Sequence, residues 1–376
     1  MGYESLALNS RKAKKKKPWY MILIHTLLII ISIILLFGVA ILVFFTVVEY
    51  RPKKLEEAKI INNQINLVKF NEEYQALTFN IGYGSLGKDE DFVMDGGKKG
   101  IPDSREVVEG YLAGIKDIIN TYSSEFYFIQ EVDINSRRSY KINQQQYILD
   151  NLGTTYNSTF ALNYKALFVP FPFSFTQYMG KVESGVSTFT NFKVENSERH
   201  QFPGGFSWPV RTVNLKRGML VNYHKIEGSD KLFVVVNLHM SAYDSSGKLR
   251  EQEMTYLKDF MIEHKKLGNY VLIGGDFNQT FPEVTLEVRE NPYFTPYKIE
   301  DTYLPEGYQF KIDPNVTTSR LLNQPYNPSD IENTYYFIID GFIVSDNIEV
   351  TLVEGLDLGY VHSDHNPVRL KFRLVE

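Results

Sequence analysis

The sequence predicts an α/β protein of the α+β sandwich kind. Two packed, mainly antiparallel β-sheets would be flanked by helices and preceded by one transmembrane helix. Three observations predict it. Short apolar runs with strand character recur from Leu77 to the C-terminus, two stretches among them have helical spacing, and the run from Trp19 to Val48 is almost wholly apolar. A content of 43% hydrophobic and 14% aromatic residues is ample for a packed core, and 25 Tyr and 26 Phe against 2 Trp favour strands.

The first element is the apolar run, broken by His25, Thr26, Ser32, Gly38 and Thr46. A bilayer span needs ~20 residues and a secretory apolar region only roughly 7–15, so the run reads as one uncleaved signal anchor. Trp19, Tyr20 and Tyr50 stand where interfacial aromatics would sit. Before it, Arg11, Lys12 and Lys14 to Lys17 are opposed only by Glu4. That cluster places the N-terminus in the cytoplasm and the rest of the chain outside the cell. The expected divisions are a basic cytoplasmic tail over 1–18, the anchor over 19–49, a stalk over 50–70 and one catalytic domain over 71–376. The bilayer is thus an expected partner, through residues 19–49.

Strands are expected at Leu77–Asn80, Phe126–Gln130, Gly185–Phe192, Gly218–Lys225, Leu232–Leu238, Tyr270–Ile273, Tyr335–Val344 and Val368–Leu374. One helix follows Pro102-Asp103-Ser104, with Val108, Leu112, Ile115 and Ile119 on one side. A second runs from about Leu249 to Lys266 and stops at Gly268, a good C-cap.

Cysteine is absent, which excludes disulfides, thiolate zinc sites and Cys nucleophiles. The net charge of -5 includes the basic tail, so the outer domain is more acidic still and lacks the broad basic footprint of a dedicated nucleic-acid binder.

Polar groups cluster at the ends of the expected strands: Asn80, Glu131, His239, Asp276 with Asn278, Asp340, and Asp364 with His365. Singly, each has a bland explanation: Asn80 a turn cap, Asp276 an Asx-turn, His239 a satisfied strand-end histidine. Together they point to convergence on one rim of a sheet. Asp340, in a run of β-branched and aromatic residues, is costly to bury without a partner, and His365 is a candidate.

Several of these residues fall in motifs. Gly274-Gly275-Asp276-Phe277-Asn278 is similar to the G-D-F-N motif of the endonuclease/exonuclease/phosphatase superfamily, and Ser363-Asp364-His365-Asn366-Pro367 resembles its terminal S-D-H-x-P. Gln130-Glu131 matches the family's Q-E element and Thr78-Phe79-Asn80 its T-x-N, while Asn237-Leu238-His239 and Ile339-Asp340 fill the remaining positions in order. The resemblance covers about residues 75–374. It implies a hydrolase of phosphoester bonds dependent on Mg²⁺ or Mn²⁺. Glu131 would be the principal metal carboxylate, with Asn80 and Asp364. Asp340 would orient and charge His365, Asp276 would handle a proton, and Asn278 and His239 would donate hydrogen bonds to phosphoryl oxygens. Around Asp340 the sequence matches neither the W-C-D-R-like element of phosphoinositide-phosphatase relatives nor the L-D-Y of abasic-site nucleases.

The substrate stays open among nucleic acid for an extracellular nuclease, a phospholipid as in sphingomyelinase-like relatives, and a phospho-sugar. An inactive receptor or scaffold on the same fold is the non-enzyme alternative. Three segments could shape specificity: 89–99, the aromatic run Phe168 to Phe173, and 201–217 with Phe206, Trp208, Arg211 and Arg217. Each alone reads as ordinary loop packing, but aromatic loops near a bilayer would suit an amphiphilic substrate.

Overall fold

The computed structural model describes residues 18–242, 244 and 246–376, so the basic cluster at 11–17 lies outside the described residues. The chain divides after Val48 into two compact units. The first contains helix α1 (Trp19–Val47), of whose residues none is buried. Its polar side chains turn back onto its own backbone: Thr26 and Thr46 hydroxyls donate to the carbonyls of Ile22 and Leu42, and His25 Nδ1 donates to that of Met21. Such internal bonding lets an apolar helix carry these residues without exposing unmet donors to a lipid phase.

In the second unit, strands β1 (Leu55–Glu57), β2 (Tyr74–Asn80), β3 (Phe126–Asp133), β4 (Asn157–Val169), β5 (Gly180–Thr190), β6 (Asn196–Gln201) and β7 (Gly218–Lys225) come first. They are followed by β8 (Leu232–His239), β9 (Tyr270–Asp276), β10 (Tyr308–Lys311), β11 (Asp340–Ser345), β12 (Ile348–Gly355) and β13 (Val368–Leu374). One sheet has the order β1-β6-β7-β8-β9-β11-β10 and the other β12-β13-β2-β3-β5-β4. Helices α2 (Arg105–Thr121) and α3 (Gln144–Leu152) cover the outer face of the second sheet, and α4 (Lys248–Leu267) covers that of the first.

The α+β sandwich read from the sequence is therefore the observed architecture. Between the sheets lies an apolar layer in which the buried Phe126 ring meets Tyr74, Phe192, Phe233 and Phe372 at centroid distances of 5.4–6.3 Å. Each sheet has a single parallel pair, β2 with β3 and β8 with β9, and each pair is joined through a helix, α2 or α4. Parallel strands finish at the same edge, so Asn80 and Glu131 end one pair where His239 and Asp276 end the other. This duplication positions the site.

Three expectations need correction. Residues 50–70, expected as a stalk, belong to the folded unit. Strand β1 pairs with β6, Ala58 and Val68 are buried, and Val68 bridges to Ile226, because the apolar positions of this segment have a sheet edge to cover. The strand expected over Tyr335–Val344 is broken: Tyr336–Phe337 pairs with Ser319–Arg320, and β11 starts at Asp340. The amides of Ile339 and Asp340 donate to Thr318 Oγ1 (3.0 and 3.1 Å), which ends the first piece and turns the chain. Helix α3 and strands β1, β4, β6, β10 and β12 were not expected. In β4, Asn157, Ser158 and Thr159 are fully buried, which breaks the apolar signature of an interior strand.

Candidate active site

All eight residues singled out from the sequence come together at one edge of the sandwich. Glu131, His239, Asp276, Asn278, Asp364 and His365 line a single cavity of about 590 Å³. Asn80 and Asp340 join them through hydrogen bonds.

Local backbone explains much of the placement. Glu131 sits at a bulge, where the pairing of β3 with β5 shifts between Ile129 and Val132, and its φ of +54° swings the carboxylate out of the ladder. Gly275 has φ +153°, and a Cβ there would stand 2.0 Å from the Leu238 carbonyl oxygen, so only glycine lets β9 lie this close to β8. Asp276 follows it, accepting from the Asn278 amide at Oδ1 (2.8 Å) and from Asn80 Nδ2 at Oδ2 (3.0 Å). Asn80 Nδ2 also reaches Glu131 Oε1 (3.4 Å), while its Oδ1 accepts from the Gly82 amide (3.0 Å). Asn278, at φ +51°, donates its side-chain nitrogen to the Met240 carbonyl (2.8 Å).

Asp340 and Asp276 are ladder partners across β11 and β9, which places two buried carboxylates side by side. His365 offsets their charge. Its Nδ1 is 2.8 Å from Asp340 Oδ2, and its Nε2 is 3.8 Å from Asp276 Oδ2 and 4.0 Å from Asp364 Oδ2. Burial opposes a charge on His365, but the Asp340 carboxylate, with Asp364 and Asp276, holds its pKa well above the ordinary value. His239 behaves in the opposite way: burial, with Arg217, His365 and Arg138 nearby, pushes it well below 6.5, so its ring is neutral. Asp276 is pushed up to about 7 by burial and by the Asp340 charge, against the pull of His365. Asp364 also rises to about 7, by burial and with Glu131 adding to it, again against His365.

These carboxylates make no ion pair with lysine or arginine within 4.0 Å among the described residues; the charged ring of His365 and the neutral ring of His239 are the imidazoles at that range. Asp340 Oδ1 is buried without a hydrogen-bond partner. A largely buried, oxygen-rich set with no lysine or arginine in ion-pair contact is donor chemistry that fits a hard divalent cation. Asp276, Asp340 and His365 also offer one ligand atom each, all within 4.8 Å of one another.

Several supporting residues were not found from the sequence. Ser319 Oγ stands 3.3 Å from His365 Nε2, and Ser363 Oγ donates to the Asn80 carbonyl (2.8 Å), tying the last motif to β2. Gln130 Nε2 donates to Asn237 Oδ1 (2.8 Å), a polar rivet between the sheets below the site. Buried Arg138 forks onto both oxygens of Asp133 (3.0 and 3.1 Å) and lies 3.6 Å over the Tyr83 ring, bracing the strand that carries Glu131. Gln130, Asn237 and Ser363 stand inside recognised motifs but drew no role of their own; Ser319, in a polar run with no periodic signal, was not singled out.

Comparison with known proteins agrees with this fold. A solved endonuclease/exonuclease/phosphatase from Beutenbergia cavernae DSM 12333 is 16% identical, with a TM-score of 0.56 over 81% of this chain and 72% of that one. The human Nocturnin catalytic domain, solved with a bound sulfate anion, is 15% identical, with a TM-score of 0.50 over 85% of this chain and 98% of that one. At such identities the likeness is one of fold. No curated protein matches the sequence. Residues 77–365 match the model of the Endonuclease/Exonuclease/phosphatase family, and the chain belongs to that family.

Proposed function

We propose that this protein is a membrane-anchored hydrolase of phosphoester bonds that depends on a divalent cation, Mg²⁺ or Mn²⁺. The observation that carries the reading is the convergence of the Asp340–His365 pair, Asp276 and the Glu131/Asp364 carboxylates on one cavity floor. The cation would be held by Glu131 and Asp364, with Asn80 beside Glu131; once bound it would neutralise phosphate charge and favour attack at phosphorus. Asp276, Asp340 and His365 are the other trio with ligand spacing. Their closest contact is a hydrogen bond between two of them, which suits proton handling better than metal binding.

The protein's own groups divide the remaining work. His365, held charged by Asp340, donates from Nε2 to a phosphoryl oxygen. Because it already carries its proton it cannot act as the base, and that role falls to Asp276, whose pKa of about 7 suits taking a proton from water. The second amide hydrogen of Asn278 and the neutral ring of His239 supply further hydrogen bonds to the developing charge. Helix α1 is long and apolar enough to cross a bilayer. With the basic cluster before it, the reading is a cytoplasmic N-terminus and an outward-facing catalytic unit.

The test is turnover of bis(p-nitrophenyl) phosphate by the full chain in lipid nanodiscs with Mg²⁺ or Mn²⁺, beside Asp276→Asn. Turnover abolished by chelator and by the variant is expected. A folded chain with no metal-dependent turnover would leave the scaffold reading in its place.

A further inference from the structure

The cavity is larger and more apolar than a phosphate group needs. Its floor is the charged set, but its walls include Leu86, Phe92, Val169, Phe171, Met179 and Leu215. Phosphate is compact and strongly hydrated, so such walls serve whatever is esterified to it.

The same loops that furnish the walls carry apolar side chains outward at the rim. In the first, Phe171 faces the cavity while Phe173 and Phe175 are 92% and 103% exposed. In the second, Phe206 and Val210 line the cavity while Trp208 is 52% exposed. The second loop is tied to the strand that enters the first: Tyr164 Oη of β4 donates to the Val213 carbonyl (3.0 Å), and Phe171 and Leu215 pack against the same buried cluster. Exposed aromatics grouped in this way mark a surface that meets an apolar phase.

The entry point of the chain says which phase. Glu49, the first residue of the folded unit, has its side chain covered beside the second loop; Lys216 Nζ bonds its Oε1 at 2.9 Å and Arg211 Nε lies at 3.6 Å. In sequence only Val48 separates Glu49 from the end of α1. A bilayer holding that helix would therefore lie within two residues of chain, about 7 Å, of the carboxylate that Arg211 of the second loop and Lys216 hold.

We propose that the rim formed by segments 167–178 and 203–213 rests in the interface of the bilayer that holds α1, and that the substrate is a phosphoester of a membrane lipid. The inference rests on the hydrolase reading. The lipid's hydrocarbon follows the walls while its phosphate sits on the charged floor. Water supplies the oxygen of the new P–O bond, the P–O bond to the leaving alcohol breaks, and that alcohol takes a proton.

Two measurements on the full chain in phosphatidylcholine vesicles test this. The sequence holds only Trp19 and Trp208, so Trp19→Phe leaves Trp208 as the single reporter. The proposal expects Trp208 emission to fall when the vesicle lipids carry mid-chain bromines; equal emission in brominated and plain vesicles overturns the seating. The second is metal-dependent hydrolysis of decyl against ethyl p-nitrophenyl phosphate, both kept monomeric. Burial of the longer chain should raise kcat/KM by about tenfold or more. Equal values overturn the lipid assignment and leave the hydrolase reading standing. Hydrolysis of neither ester by the metal-saturated chain overturns the hydrolase reading and with it the substrate, while bromine quenching still decides where the rim sits.

Discussion

His365 Nδ1 lies 2.8 Å from Asp340 Oδ2, and Asp340 is the ladder partner of Asp276. One imidazole thus serves two buried carboxylates brought together by the pairing of β9 with β11. A buried carboxylate pair without such a partner would hold a proton between its members instead of one negative charge ready for use.

The first expected outcome follows. Asp340→Asn keeps the shape but removes the charge that keeps His365 protonated, so turnover with Mg²⁺ should fall by roughly 10²–10⁴-fold. Steady-state kinetics on the full chain reads it. A fall below tenfold would show that His365 does not depend on Asp340 for its charge.

A second concerns protons released on metal binding. Asp276 and Asp364 are each pushed up to about 7, so near neutral pH the metal-free protein carries protons there that ordinary carboxylates would have lost. A cation held by Glu131 and Asp364 displaces the Asp364 proton directly. Calorimetry at pH 7 in two buffers of different ionisation enthalpy should report release of on the order of one proton per bound ion, vanishing near pH 9. Release unchanged between those pH values would place the cation away from these groups. The same shifts set the stability of the metal-free chain. A carboxyl with a raised folded pKa stabilises below the unfolded value and loses that stabilisation as pH rises through about 7, so Asp276→Asn should narrow the difference in metal-free stability between pH 5 and pH 8.

How far the sequence disclosed this arrangement depends on where the signal lay. His239 and Asp276 each end a strongly apolar run, the first broken only by Asn237, so strand and functional group appear together, and the helices α2 and α4 carry clear spacing. Strand β4 was invisible because its buried start is polar: Thr159 bonds to Asn222 and Ser158 to Gln145, contacts that exist only after distant strands meet. The break before Asp340 was hidden for a similar reason, since Thr318 causes it from 22 residues away. Local periodicity reports local burial. The cavity walls are contributed by loops whose apolar residues show no period, and only the folded chain brings Phe171 and Val210 to the edge that carries Asp276.

A third expected outcome tests the glycine behind the G-D-F-N motif. With φ at +153° and a would-be Cβ 2.0 Å from the Leu238 carbonyl, Gly275→Ala must displace β9 or β8. Strain of this kind costs about 1–3 kcal/mol. Thermal unfolding should show that loss, and turnover should drop with it because Asp276 is the next residue. Retained stability would mean that the two strands can separate at their ends without consequence.

The last concerns His224, far from the chemistry and fully buried between the sheets. Its Nδ1–H donates to the Lys193 carbonyl (2.8 Å), and its Nε2 has no partner, so the ring is built in as the neutral form. Burial lowers its pKa from 6.5 to about 4, the Lys193 hydrogen bond notwithstanding. A depressed folded pKa means that the unfolded chain takes up the proton first. The neutral ring is therefore fully compatible with folding above pH 6.5 and becomes a growing liability as pH falls toward about 4. Across that window the wild type should lose about 3 kcal/mol relative to His224→Asn, which can keep a donor to Lys193 but cannot titrate. Urea unfolding of both chains at pH 7 and pH 4.5 reads the difference. If the gap between them is the same at both pH values, His224 stays neutral in the unfolded chain or finds a partner for Nε2 when it is charged.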